Sequence, residues 1–156
     1  MRAVEAQAEA PHLDAATLIA QLAGHPDPRF REALIPLFIR RPEYSAVVPG
    51  LADSLKPPAD TVLRHMYTAA VYLQRLWRGT LALYLGDFPL LPDYFGSHVF
   101  HLHSPGENFG ESGLRALATL FKENTGDEWL SAYQSVMALL LDQLRLERQG
   151  ARQTNI

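Results

Sequence analysis

A chain of 156 residues, 47% hydrophobic and 20% charged, has the makeup of one globular domain and can fold without disulfide or metal staples. It holds no cysteine, which excludes thiol nucleophiles, thiolate metal ligands and a disulfide scaffold. The formal net charge of −3 argues against a dedicated nucleic-acid binder, because neutralising phosphates needs a surplus of cations.

Met1 to Pro11 alternates alanine with Glu5, Gln7 and Glu9 and lacks the apolar stretch of a signal peptide. Residues 1–13 read as a flexible N-terminal segment, 14–148 as a single helical domain and 149–156 as a flexible polar tail. The longest apolar run, Val136 to Leu141, falls far short of the ~20 residues that a bilayer crossing needs, so no membrane partner is expected and a cytoplasmic location is.

The first helix is predicted from Asp14, as its N-cap, to a stop at Gly24, with Leu18, Ile19 and Leu22 on its apolar face. Asp27 followed by Pro28 starts the next helix, which should run to Arg40 and bend at Pro36. Pro42 to Leu55 carries Pro49 and Gly50 and should be kinked or split. Asp60 should cap the longest and most buried helix, Thr61 to Leu85, where Val62, Met66, Ala69, Leu73, Leu76 and Leu83 draw one apolar stripe beside a second. Such a helix wants neighbours on two sides, and Gly79 on it suggests a close helix contact.

From Gly86 to Gly113 the periodicity lapses, and a segment of that length must be packed or functional. Asn108 with Glu111 has the spacing of a capping box, starting a helix that carries Leu114, Leu117, Ala118 and Phe121 and stops at Gly126. Asp127 starts the last helix. Trp129, Leu130, Tyr133, Met137, Leu140 and Leu144 line its core side, with Leu139 and Leu146 on a flank. The fold class is therefore all-α, about six helices in antiparallel hairpins with one long Pro/Gly-rich loop.

The first half resembles tandem helical repeats of the HEAT type. The residues that carry the likeness are Leu18 to Leu22, the turn Pro26, Asp27, Pro28, then Arg31, Ala33, Leu34 and Leu37, and a second hairpin from Tyr44 to Trp77. The resemblance implies that the Asp-Pro turn starts an inner helix whose arginine ties successive repeats together. It covers about half the chain, and the second hairpin lacks the Asp-Pro-Arg pattern. The Tyr67 to Arg78 helix and the loop after it are also similar to small bacterial helical proteins, which implies no activity.

Catalytic signatures are missing on direct reading. No Gly-rich loop ends in Lys-Ser or Lys-Thr, Gly106, Gly110 and Gly113 have the wrong spacing for a dinucleotide turn, and no His-Glu-x-x-His occurs. Ser112 follows Gly110, but Leu114 stands where a nucleophile elbow needs glycine. Half of the histidines fall in His98, Val99, Phe100, His101, Leu102, His103. In an extended run His101 and His103 share a side, and with His98 and Glu107 they would suit zinc or another divalent cation. A loop anchored by Phe100 and Leu102 with its histidines in water explains the same residues.

Charge is uneven. Arg29 to Arg78 is rich in arginine, whereas Gly79 to Glu111 has no lysine or arginine and holds Asp87, Asp93, Glu107 and Glu111. On one continuous helix Arg64 and Arg75 share a face and Arg78 lies about 40° off it. They are candidates for an acidic partner or a phosphate, or for ion pairs with the acidic loop folded back. The aromatic residues, among them Tyr67, Tyr72, Trp77 and Tyr84, read first as core packing.

The favoured expectation is a non-enzymatic helical interaction module, an adaptor or small regulatory subunit, with a protein partner or a second copy meeting Leu139 and Leu146. The alternatives are a metal-binding protein or metal-assisted hydrolase using His98, His101, His103 and Glu107, and weak nucleic-acid binding along Arg64, Arg75 and Arg78.

Overall fold

The computed structural model describes residues 14–122 and 127–154; the expected N-terminal segment, the stop at Gly126 and residues 155 and 156 lie outside them. Among the described residues all regular structure is helical. The α-helices are α1 (Ala15–Ala23), α2 (Pro28–Glu32), α3 (Leu34–Arg40), α4 (Val48–Ser54), α5 (Ala59–Leu76), α6 (Arg78–Leu85), α7 (Glu111–Leu120) and α8 (Asp127–Thr154), with 3-10 turns at Pro42–Val47 and Glu107–Gly110. Taking α2 with α3, and α5 with α6, as interrupted helices leaves the expected six among these residues.

The starts and breaks follow from which backbone groups find partners. Asp27 accepts the Arg29 amide at 3.0 Å with Pro28 in the first turn, as its sequence predicts. Asp14 precedes α1, but its carboxylate takes the Thr17 hydroxyl rather than a backbone amide. Pro36 has no N–H to offer the Glu32 carbonyl, and the helix is interrupted one turn earlier, at Ala33, instead of bending at Pro36. The segment after Pro42 is split, its second part starting beside Pro49.

Three expectations are corrected. Asp60 does not cap α5; it sits in the first turn and holds the Arg64 guanidinium at 3.2 Å. The helix after it ends at Leu76, Trp77 interrupts it, and the longest helix is α8. Asn108 and Glu111 form no capping box: Asn108 has φ 49°, Gly110 stands at the cap, and Glu111 pairs with Arg115 at 3.2 Å.

The prediction of a central helix holds. Every other described α-helix packs on α5, which is buried without a break from His65 to Gln74. The long loop is strapped over it by hydrogen bonds rather than by the ion pairs that the charge pattern suggested. Tyr67 Oη donates to the Pro92 carbonyl and Tyr72 Oη to the His103 carbonyl, both at 2.7 Å. Gln74 Nε2 donates to the Pro89 carbonyl at 3.0 Å, and the Leu91 amide donates to Gln74 Oε1 at 2.8 Å. Asp93 is spent within the loop, accepting from the Gly96 amide at 2.8 Å and the Ser97 hydroxyl at 2.8 Å. On α8, Arg148 donates to the Leu83 carbonyl at 2.9 Å, satisfying the end of α6, and Glu147 pairs with Arg40 of α3 at 3.0 Å.

The close approach expected at Gly79 is absent there, where a Cβ would meet nothing within 4 Å, and is found at Gly113, where a Cβ would run into the Tyr72 ring. Gly113→Ala is therefore expected to lower stability by about 3 kcal/mol or more through overpacking, whereas Gly79→Ala, exposed and helical, should raise it by about 1 kcal/mol. Urea denaturation of the two variants reads both signs. Gln74→Leu strands the Pro89 carbonyl and the Leu91 amide and should cost about 1–3 kcal/mol for each group, with faster hydrogen exchange at Leu91.

Candidate functional site

Two features stand out once the helices are in place. One is a tip on the 3-10 turn before α7, the other a cleft bounded by α2, α5 and α8.

At the tip three successive residues have positive φ: Asn108 at 49°, Phe109 at 57° and Gly110 at 88°. Gly110 is pressed on α5 so closely that a Cβ would lie 2.6 Å from the Tyr72 carbonyl oxygen. Packing thus dictates the conformation, and Phe109 is turned outward with 78% of its surface exposed. A bulky side chain in the left-handed region costs roughly 1–2 kcal/mol. Such strain survives only where the surroundings impose it.

The cleft, of about 200 Å³, is walled by Pro28, Val62, Met66, Phe121 and Trp129, with His65 on its floor. It adjoins an outer space of about 310 Å³ between Pro28, Arg31 and Glu32 on α2 and Glu128, Trp129 and Ala132 on α8. His65 is 3% exposed. Its Nε2 lies 2.7 Å from Tyr133 Oη, its ring stacks on Phe121 with centroids 3.9 Å apart, and the Trp129 ring meets it edge-on at 4.4 Å. Burial pushes the imidazole down from its ordinary 6.5 to about 3, so it is neutral, and burial raises the Tyr133 hydroxyl. At the mouth, Arg31 donates to the carbonyls of His25 and Pro26 at 2.8 and 2.9 Å, and burial raises the Glu32 carboxyl against the opposing pull of Arg31.

The residues singled out from sequence are distributed otherwise. His98 and His101 are exposed, and only His103 and Glu107 meet, with Nδ1 and Oε2 3.2 Å apart. Among the described residues no group of three or more histidine, aspartate or glutamate side chains is placed to hold a metal. The physical reason is that His101 has φ 57°, which turns the chain and breaks the alternation an extended run would give. Arg64, Arg75 and Arg78 form no exposed row either. Arg64 is held by Asp53 at 3.1 Å and by Asp60, over the Phe95 ring. Arg75 is half-buried, donating to Gln74 Oε1 and the Val71 carbonyl, and burial lowers its pKa. Arg78 is exposed but lies beyond the Trp77 interruption. Leu139 and Leu146 are on the surface of α8, 71% and 60% exposed, with a groove of about 270 Å³ beside Leu139 formed with Ala33, Pro36 and Val136.

His65 and Phe109 were missed by sequence reasoning. A single histidine between Leu63 and Met66 on an apolar helix carries no motif. For Phe109 the available signal was Asn108 and Gly110 around it, two residue types that tolerate positive φ.

No family model matches the chain, and neither a curated protein nor a solved structure matches it. No described helix is long and apolar enough to cross a membrane.

The neutral burial of His65 fixes the sign of a pH effect. Between pH 6.5 and about 3 the unfolded chain takes up a proton that the folded imidazole refuses. This contribution is complete above pH 6.5 and is lost as pH falls toward 3, by about 1.4 kcal/mol per unit. His65→Gln should flatten the fall in urea-denaturation stability between pH 6.5 and 4. An unchanged slope would contradict neutral burial.

Proposed function

We propose that the protein is a non-enzymatic helical interaction module, an adaptor or small regulatory subunit, that seats Phe109 in an apolar pocket of a protein partner. The observation that carries this reading is an aromatic ring held in water by a left-handed backbone. Burying a phenylalanine side chain is worth roughly 1.5–3 kcal/mol, more than the strain of presenting it, so the conformation makes sense in a complex. Glu107, exposed, and Glu111, half-buried, stand beside the ring in sequence, which favours a pocket with a basic rim. The exposed Leu139 and Leu146 supply a second apolar strip and support association with a further copy through α8.

Phe109→Gly separates function from folding. Glycine relieves the left-handed strain, so unfolding should shift upward by about 1 kcal/mol while binding is lost. A photoreactive phenylalanine analogue at position 109 should give one discrete cross-linked product in native lysate, and the same analogue at exposed Lys56, away from both the tip and α8, should not give it. A product of twice the chain's mass would identify a second copy, and sedimentation of the Leu139→Ser, Leu146→Ser double variant tells whether α8 contributes. No discrete product, or a Phe109→Gly protein less stable than the parent, would count against the reading.

A further inference from the structure

We infer that the cleft over His65 binds a small, uncharged, planar ring that carries a carbonyl acceptor. This site is separate from the Phe109 tip and does not depend on the reading given to it.

Among the described residues the imidazole makes one hydrogen bond, through Nε2 to Tyr133 Oη. No side-chain nitrogen or oxygen there is both buried and without a partner, so Nδ1 opens onto the cleft that His65 lines. The tautomer follows from the hydroxyl. Tyr133 is fully buried, and the proton of its hydroxyl has Nε2 as its acceptor. The alternative, Nε2–H donating to Tyr133, would leave the hydroxyl proton unpaired in an apolar interior. Tyr133 therefore donates, Nε2 accepts, and Nδ1 carries the hydrogen that faces the cleft. Tyr133 is a positioning residue here: it sets which imidazole nitrogen is a donor.

The rest of the cleft defines what that donor receives. Apart from Thr61, whose hydroxyl turns to Asp60, its walls are apolar or aromatic. Trp129 uses its indole N–H on the Phe121 carbonyl at 2.9 Å, so it offers ring surface rather than a polar group. The space of about 200 Å³ suits one substituted six-membered ring, since an apolar cavity of roughly 150 Å³ already takes benzene. At the mouth Arg31 and Glu32 oppose each other. The opposite charges of Arg31 and Glu32 give neither sign of ion a net attraction at the mouth, and an ion must be stripped of water against Trp129 and Met66. A neutral ring avoids that cost. Its carbonyl satisfies Nδ1–H, the one unpartnered donor on the floor among the described residues, and a ligand without an acceptor would leave that donor dehydrated and unpaired.

The test uses the full chain, labelled with nitrogen-15, titrated with benzamide, benzoate and cyclohexanecarboxamide. Before any addition, the His65 ring should show a protonated Nδ1 and an unprotonated Nε2. Benzamide should move the indole N–H of Trp129 in a saturable manner at low millimolar concentration and leave that of Trp77 unmoved. Benzoate and cyclohexanecarboxamide should bind about tenfold more weakly, for want of neutrality and of a flat ring respectively. Val62→Phe fills the cleft and should abolish the Trp129 shift; if that variant does not fold, Tyr133→Phe, which releases the tautomer, should weaken benzamide about tenfold. The inference is overturned by a protonated Nε2, by no movement of Trp129 up to about 20 mM benzamide, by equal movement of both indoles, or by equal affinity for the three compounds.

Discussion

A helix buried on every side has to satisfy its own polar side chains, and that requirement organises this molecule. Between His65 and Gln74, α5 carries His65, Tyr67, Thr68, Tyr72 and Gln74 out of reach of bulk water, except for His65 Nδ1 at the cleft. Each needs a partner, because a buried donor or acceptor left unpaired costs about 1–3 kcal/mol. Thr68 bonds back to the Arg64 carbonyl at 2.6 Å. His65 uses α8, through Tyr133. Tyr67, Tyr72 and Gln74 use the backbone of the long loop, which explains how a segment without regular structure holds one course across the bundle. The loop supplies the carbonyls and the amide that the helix lacks.

Tyr72 shows how this requirement reaches the surface. Side-chain space around it is exhausted: a Cβ on Gly96 would lie 2.7 Å from its hydroxyl, one on Gly110 2.6 Å from its carbonyl oxygen, and one on Gly113 against its ring. Three glycines let loop, turn and α7 close on a single tyrosine. At Gly110 that closeness comes with positive φ, and the two residues before it share the left-handed conformation. The outward posture of Phe109 is the far end of a packing constraint that begins in the core.

The cleft arises on another side of α5, where two features coincide. Pro36 deprives Glu32 of a partner and divides α2 from α3 at Ala33, and α3 packs on α8, while α2 and the start of α8 face each other across an open space. A histidine there is kept neutral by burial, stacked on Phe121 and met edge-on by Trp129. Rings and a locked tautomer make a stiff site, the condition under which one hydrogen bond discriminates among ligands.

Periodicity sufficed for the helical class, for the central place of the helix carrying Met66, Ala69 and Leu73, and for the Asp27–Pro28 start, because these depend on neighbours within a few residues along the chain. Helix interruptions were only partly legible, and Trp77 carries no proline to announce one. The pairing of His65 with Tyr133, 68 residues apart, and the scattering of His98, His101 and His103 had no local signal, and the exposure of Phe109 had only Asn108 and Gly110 beside it. They depend on which distant groups the folded chain brings within hydrogen-bonding or van der Waals range. Composition and spacing by themselves determined that this chain forms a helical core; only tertiary packing decided which polar groups that core leaves facing outward, since a donor becomes a site when every competing partner has been placed beyond its reach.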